Sequence, residues 1–209
     1  MSKPNLILVG AGGHARACID VVEQEGIFNI AGLIGLAEEV GSKHFDYEVI
    51  ATDAEMPALA KQYQFALITM GQILTAENRI RLFAQAQAAG FTIPTVIAPT
   101  AYVSSHSIIG RGTIVMLGAV INAGAQVGKN CIINSNSLIE HDAQVENHCH
   151  ISTGAILNGN TSIGTGSFIG SGAVIKEGVS IGANSLVGMG LMVRHNVDNN
   201  TKYLGLTSI

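Results

Sequence analysis

From Ile97 to Val193 every sixth residue is Val, Ile or Leu, seventeen positions without a slip. Four residues after each, the side chain is usually small, as at Ala101, Ser107, Thr113, Ala119, Ala125, Cys131, Ser137 and Ala143. A period of six matches neither the 3.6 of a helix nor the 2 of an alternating strand. It is the period of a parallel β-helix, in which each six-residue unit forms one short side of a triangular prism and three units close a coil of eighteen. The branched residue enters the core and the small one fits where the chain turns a corner. Residues eighteen apart then stack at the spacing of hydrogen-bonded strands, about 4.8 Å. Periodicity does not by itself set the hand of such a coil.

An open coil exposes strand edges at both ends and needs covering. The segment before it supplies one cover, and the tail from Arg194 to Ile209, where the period breaks, is expected to cap the last coil. Residues 1–95 read as a separate α/β domain and 96–209 as the β-helix domain with its C-terminal cap. Asn5 to Val9 is a short apolar run, followed at once by Gly10-Ala11-Gly12-Gly13-His14-Ala15 and a helical pattern through Ile19, Val22 and Glu25. Strand, glycine turn and helix satisfy G-x-G-x-x-A, a turn that presents backbone N–H groups and a helix N-terminus to phosphate. A dinucleotide reader also carries an acid about 20 residues on, at the end of the second strand. Here the second strand, Ile30 to Ile34, ends in Gly35-Leu36, which argues against a full dinucleotide site. A glycine turn that only lets a helix pack on a sheet remains the structural alternative to phosphate binding.

Further on, Glu38 to Glu48 reads as a polar loop, Val49 to Ala51 as a short strand, and Thr52 or Asp53 as the cap of a helix through Ala60. Phe65 to Met70 reads as a buried strand ending at Gly71. Thr75 caps a further helix with Ile80, Phe83 and Ala84 on its inner face, stopped by Gly90, and a last strand lies near Thr92 to Ile97. Strands alternating with helices imply a small parallel sheet, half a dinucleotide-binding domain. A net charge of −4 gives no broad basic surface for nucleic acid or lipid headgroups. No apolar run approaches the roughly 20 residues of a membrane span, and a cytoplasmic location is the expectation. Cys131 and Cys149, eighteen apart at corner positions, should stack as reduced core thiols, and Cys18 falls in the first helix.

Charged side chains are scarce in the repeat, and Ile139 to Ser152, IEHDAQVENHCHIS, is the exception. It brings together His141, His148 and His150 with Glu140, Asp142 and Glu146. His141 stands two residues after a core position, and its stacking neighbours are Ala123 and Gly159, which leave room for a substrate beside the imidazole. Asp142 or Glu140 is placed to fix its tautomer. A zinc site built from the three histidines, shared between subunits, lacks a convincing third ligand because His148 and His150 straddle the inward-pointing Cys149, and no metal is expected.

The units IGRGTI, IGTGSF, IGSGAV and IGANSL resemble the left-handed β-helix of hexapeptide-repeat acyltransferases. With GAGGHA near the N-terminus and SLIEHDAQVENHCHISTGAILNG in the coil, the chain resembles, over nearly its whole length, the family of sialic acid O-acetyltransferases and bacillosamine-type nucleotide-sugar N-acetyltransferases. The resemblance implies His141 as general base and Asp142 as the acid that enhances its basicity. It implies acetyl-CoA as cosubstrate, contacted by His150, Ser171 and Met189. A nucleotide-linked amino sugar of the UDP-4-amino-sugar type would meet Gly12, Gly13, His14 and Gly71, with Asn134 lining the pocket. Direct acyl transfer follows, with backbone N–H groups or His150 stabilising the oxyanion. Two stretches depart from the family. Gly35-Leu36 replaces paired acids that some members carry, and Gly205-Leu206-Thr207-Ser208-Ile209 replaces a tail reading G-x-P-A-[KR], leaving Arg194 and Lys202 as nearby cations for the coenzyme phosphates. His141 and His150 lie half a coil apart and so point to different sides of one prism. A site using both implies a homotrimer with the active site between subunits. O-acetylation of a sialic-acid-like sugar, and a non-catalytic structural coil, are the alternatives.

Overall fold

In the computed structural model, residues 3–205 are described. They divide into two compact units: one runs to Gly71 and resumes over Asn78–Ile97, the other takes Gln72–Glu77 and continues from Ala98.

The first unit is built on a five-stranded sheet of order β3-β4-β2-β1-β5. Its strands are β1 (Asn5–Val9), β2 (Asn29–Gly35), β3 (Lys43–His44), β4 (Tyr47–Thr52) and β5 (Phe65–Ile68), with helices α1 (Gly13–Glu25), α2 (Met56–Leu59) and α3 (Glu77–Ala89). β1, β2, β4 and β5 run parallel, as the alternation of strands and helices requires. Ile7 and Val9 of β1 enter one core with Leu82, Phe83 and Ala86 of α3. Leu6 and Leu8, pointing to the opposite face by the period of two, are equally buried. Gly26, at φ 71°, ends α1 by donating its N–H to Val22.

Two readings of this unit need correction. The polar stretch 38–48 is not wholly loop: Lys43–His44 pairs antiparallel with Tyr47 and Glu48 through a tight turn at Phe45, a hairpin too short and polar to carry a hydrophobic pattern. The inner face of α3 is Arg79, Leu82, Phe83 and Ala86; Ala84 is exposed and Ile80 only half-buried. A buried arginine was not foreseeable from hydrophobic periodicity. Its guanidinium Nη1 donates to the carbonyls of Ile68 and Met70, at 2.9 and 2.7 Å, satisfying the backbone where β5 ends.

The second unit is the coil. From Tyr102 to Val193 two-residue strands recur every six residues and, with Lys202–Tyr203, stack into three parallel sheets. The first face carries Tyr102, Val120, Leu138, Ile156, Val174 and Met192 outward in register. The second carries Ile108, Gln126, Gln144, Ser162 and Ser180. The third carries Ile114, Ile132, His150, Phe168 and Leu186. The inward partners from Val115 to Val193 are all buried, at most 3% exposed. Cys131 and Cys149 form no disulfide, each donates to a backbone carbonyl, and burial pushes the Cys149 thiol well above its ordinary range. Cys18, likewise buried, is raised to about 12.

A further six-residue series governs the corners. Gly112, Gly118, Gly124, Asn130, Asn136, Asp142, His148, Gly154, Asn160, Gly166, Gly172, Gly178, Asn184 and Gly190 all have φ between 54° and 78°. This left-handed region favours glycine, and after it Asn, Asp and His, which is the composition observed.

The tail is not, as far as it is described, a separate cap. Val197 bridges to Ile181, and Lys202–Tyr203 pairs with Leu186–Val187. These partners are sixteen residues apart, so the chain makes one more coil that is two residues short at the corner after Val193. Leu206 to Ile209, on which the departure from the basic tail partly rests, lie outside the described residues.

Because each corner holds a left-handed residue, Asn184→Val should lower stability by about 1–2 kcal/mol relative to Asn184→Gly. Equilibrium denaturation of the two variants measures the difference.

Candidate active site

His141 sits on the edge between the first and second faces, in the turn that follows Leu138–Ile139. That turn is shaped by Asp142 at φ 59°. The same left-handed geometry directs the Asp142 carboxylate back toward the preceding ring, with Oδ2 3.0 Å from His141 Nδ1. A carboxylate can only accept, so Nδ1 carries the proton and the Nε2 lone pair is left for chemistry. His141 and Asp142 side chains are 65% and 67% exposed, so the pair contributes little to stability and much to tautomer choice. Glu140 reinforces the turn: Oε2 accepts from the Asn122 amide at 2.9 Å and from the His141 N–H at 3.2 Å.

The ring rests over the next coil. A Cβ on Gly159 would lie 2.6 Å from His141 Nε2, so only glycine permits this position. The corner opens on an uncovered cleft of about 660 Å³ whose walls include Glu140, Asn158, Asn160 and Glu177. The column His141, Gly159 and Glu177 thus runs along the prism edge, with Glu140, Asn158 and Lys176 beside it, as the eighteen-residue register dictates, and Arg194 and His195 line a cleft with Lys176 and Glu177 where the last coil shortens.

The other two histidines of the cluster have different roles. His148 occupies a left-handed corner at φ 61°, and its Nδ1 contacts the Asn130 amide at 2.9 Å. His150 lies on the third face, 7% exposed, edge-on to Phe168 at 5.1 Å. Its Nδ1 is 2.7 Å from the Gln72 carbonyl and must donate, so its Nε2 accepts from Asn134 Nδ2 at 3.1 Å. Asn134 Oδ1 takes the Ser135 N–H at 2.8 Å, which fixes the amide. With both ring nitrogens engaged within the chain, His150 positions Asn134. Among the described residues no group of three His, Cys, Asp or Glu converges as a metal site.

Ser171 and Met189 stack in successive coils on the edge between the third and first faces, where Ser171 Oγ meets Ser152 Oγ at 2.9 Å and Met189 is 80% exposed. Within one chain the structure therefore brings Asn134, His150, Ser171 and Met189 to one side, and His141 with Asp142 to another edge.

In the first unit the glycine turn is built as the sequence implies. Gly10, at φ 115°, approaches Met70 so closely that a Cβ would meet its backbone nitrogen at 2.7 Å. Cβ atoms on Gly12 or Gly13 would meet nothing within 4 Å, so the turn is open. Gly12 caps α1 without a side chain, and the first turn holds no acid, leaving the positive end of the helix uncompensated by side chains. His14 lies beside Gly71, whose Cβ position is 3.4 Å from His14 Cβ. Sequence reading missed Glu39. Its Oε2 accepts the Leu36 N–H at 2.8 Å and lies 2.7 Å from where a Gly35 Cβ would be, a point itself 3.0 Å from Ala11 Cβ. A carboxylate therefore stands at the end of β2, delivered from four residues downstream; the signal was an acid three residues past Leu36, a capping-box spacing.

Residues 5–84 match the PglD N-terminal domain, and residues 160–194 match the hexapeptide repeat of succinyl-transferase. No curated protein matches the chain. Among solved structures, a histidine-to-asparagine mutant of perosamine N-acetyltransferase from Caulobacter crescentus, in complex with CoA and GDP-perosamine, is 29% identical, with TM-score 0.89 over 95% of this chain and 92% of that one. The acetyltransferase domain of PglB from Neisseria gonorrhoeae, with acetyl coenzyme A, is 29% identical, with TM-score 0.87 over 96% of each chain. WeeI from Acinetobacter baumannii, 23% identical with TM-score 0.81 over 94% of this chain and 95% of that one, shares the fold. The coil is the left-handed β-helix of the repeat these matches identify.

Gly159→Ala is expected to displace the His141 ring while leaving the coil intact. The His141 ring resonances should shift in NMR spectra, with the melting temperature nearly unchanged.

Proposed function

Because this chain belongs to the hexapeptide-repeat sugar acetyltransferases that carry a PglD-type N-terminal domain, we propose that it transfers the acetyl group of acetyl-CoA to the amino group of a nucleotide-linked sugar. The observation that carries this reading is His141, exposed on an open cleft, held by Asp142 through Nδ1 with Nε2 over a glycine. The neutral amine attacks the thioester carbonyl and a C–N bond forms. His141 Nε2 takes the proton released from nitrogen, the C–S bond breaks, and the proton passes to the departing thiolate. With His150 committed to Gln72 and Asn134, oxyanion stabilisation falls to backbone N–H groups or the coenzyme-side residues.

The open turn at Gly12 and Gly13, with His14 and Gly71 at its side, takes the nucleotide diphosphate through N–H groups of α1. Glu39 takes the ribose hydroxyls, in the role that an acid at the end of the second strand has in nucleotide readers. This removes the main reason for preferring an O-acetylated, nucleotide-free substrate, namely the loss of acids at Gly35-Leu36.

The working assembly is a homotrimer. The first face of the coil carries six stacked apolar side chains, of which Tyr102 and Met192 are about 60% exposed, whereas the second face is largely polar. Three copies packed on that apolar face bring the His141 edge of one chain against the Ser171 and Met189 edge of the next. No helix among the described residues is long and apolar enough to cross a membrane.

The direct test is CoA release from acetyl-CoA in the presence of UDP- and GDP-linked 4-amino sugars and of free sialic acids. Turnover with a nucleotide-linked amine is expected; turnover with sialic acid alone would refute the reading. His141→Ala should lower kcat about 10²- to 10⁴-fold with melting unchanged. Glu39→Gln, which keeps an acceptor for the Leu36 N–H, should raise the KM for the nucleotide sugar without loss of stability. Glu39→Ala should also cost about 1 kcal/mol of stability as the cap is lost. Mixing dissociated His141→Ala and Ser171→Trp chains should rebuild about a quarter of the sites if each site is shared between copies. Activity no higher than the mean of the two parents would show that it is not.

A further inference from the structure

The segment Gln72–Glu77 lies between β5 and α3 in the chain but belongs to the coil unit. Its hold on the coil is largely polar. Ile73 and Leu74 are 64% and 76% exposed and anchor nothing. The buried residues are Ala76, whose Cβ lies 3.6 Å from where a Cβ on Gly166 would be, and Gln72. Gln72 brackets His150 from two directions. Its main-chain carbonyl takes the ring Nδ1–H at 2.7 Å. Its side-chain Nε2 donates to the Gly166 carbonyl at 3.1 Å, with the Ser167 carbonyl 3.5 Å away. The Ser167 carbonyl in turn accepts the His150 backbone N–H at 3.0 Å, so main chain and side chain of Gln72 close a circuit of hydrogen bonds around one histidine. Gln72 Oε1 is buried and has no partner among the described residues. An unpaired buried acceptor costs stability, so packing alone does not account for an amide at this position. What the amide supplies is the Nε2 donor that fastens the segment to the corner.

From Gln72 the polarity runs one way. With the Nδ1 proton given to Gln72, His150 Nε2 can only accept, and it takes one N–H of Asn134 at 3.1 Å. Asn134 Oδ1 takes the Ser135 N–H, so the amide cannot flip without setting donor against donor. Asn134 stands one coil before Ser152, whose Oγ meets Ser171 Oγ, and so shares the side of Ser171 and Met189. We propose that Gln72 is a positioning residue for acetyl transfer: by fastening its own carbonyl over His150 it sets the tautomer of that ring, and through the ring the orientation of the Asn134 amide beside the acyl donor. This rests on the acetyl-CoA reading above. When the segment lifts, Nδ1 loses its acceptor and the proton can move to Nε2, where it meets the Asn134 N–H head-on. The amide is then driven from its place while the coil itself stays as it was.

The test uses Gln72→Met, which keeps length and bulk but has no donor, and Gln72→Glu, which sets a carboxylate against two carbonyl oxygens. Nitrogen-15 NMR of the histidine rings should show His150 as the Nδ1–H tautomer in the unaltered protein and as a mixture in Gln72→Met, with the melting temperature nearly unchanged. The kcat/KM for acetyl-CoA should fall about tenfold, as for one lost hydrogen bond, with the KM for the nucleotide-linked amino sugar retained. Gln72→Glu should lose more at alkaline pH and recover, relative to the unaltered protein at each pH, as the pH falls, because a protonated carboxyl can donate where a carboxylate cannot. In an Asn134→Ala background Gln72→Met should cost nothing further, since the path is already cut. His150 held as the Nδ1–H tautomer in the folded variants would overturn the assignment, and so would equal losses with and without Asn134. Unfolding of both variants would overturn it too, because Gln72 would then serve the fold and not the site. Failure of the unaltered protein to release CoA with any acceptor would instead overturn the acetyltransferase reading, and the ring spectra alone would still decide whether Gln72 sets His150.

Discussion

The parallel hydrogen-bond ladder between residues eighteen apart is the constraint on which the second unit depends. Each coil must present the same three inward branched residues and turn the same three corners, or the ladder loses its register. The corners demand a left-handed residue every sixth position, and the chain meets that demand with Gly, Asn, Asp and once with His. The candidate site residues are fitted into this frame and not beside it. Asp142 is at once a corner residue and the partner of His141, and Gly159 is at once a repeat position and the floor beneath the imidazole.

This dual use explains why the cluster Ile139–Ser152 gave a mixed signal. Read as composition, three histidines and three acids in one coil suggest a single centre. Read in register, they separate: His148 turns a corner, His150 orients Asn134 under the cover of Gln72, and His141 alone opens on solvent-accessible space. Lys176, Arg194, Glu140 and Glu177 lie along the same edge, so it carries an exposed imidazole at one level and charges of both signs at others. A solenoid makes such linear arrangements easily, since the position along the edge is set by counting coils.

In the first unit, parallel strands and glycine turn were legible because they rest on local chemistry: an apolar run, a turn that only glycine can make, and a helical pattern running on to Glu25. Two features were not legible. Arg79 is buried because two carbonyls at the end of β5 need a donor, and nothing near it in the chain announces that need. Glu39 reaches the end of β2 because a short turn folds it back over Gly35, so the vacancy at 35 and the acid at 39 are one structural feature seen as two in the sequence.

By itself the sequence determined the six-residue coil, its inward-facing residues, the α/β unit before it and the adjacency of His141 and Asp142, since all of these follow from period and nearest neighbours. Only the tertiary structure decided the tautomer and burial of His150, the carboxylate at the end of β2 and the shortened last coil. Each of those depends on groups far apart in the chain meeting at hydrogen-bonding distance, and no local pattern encodes such a meeting.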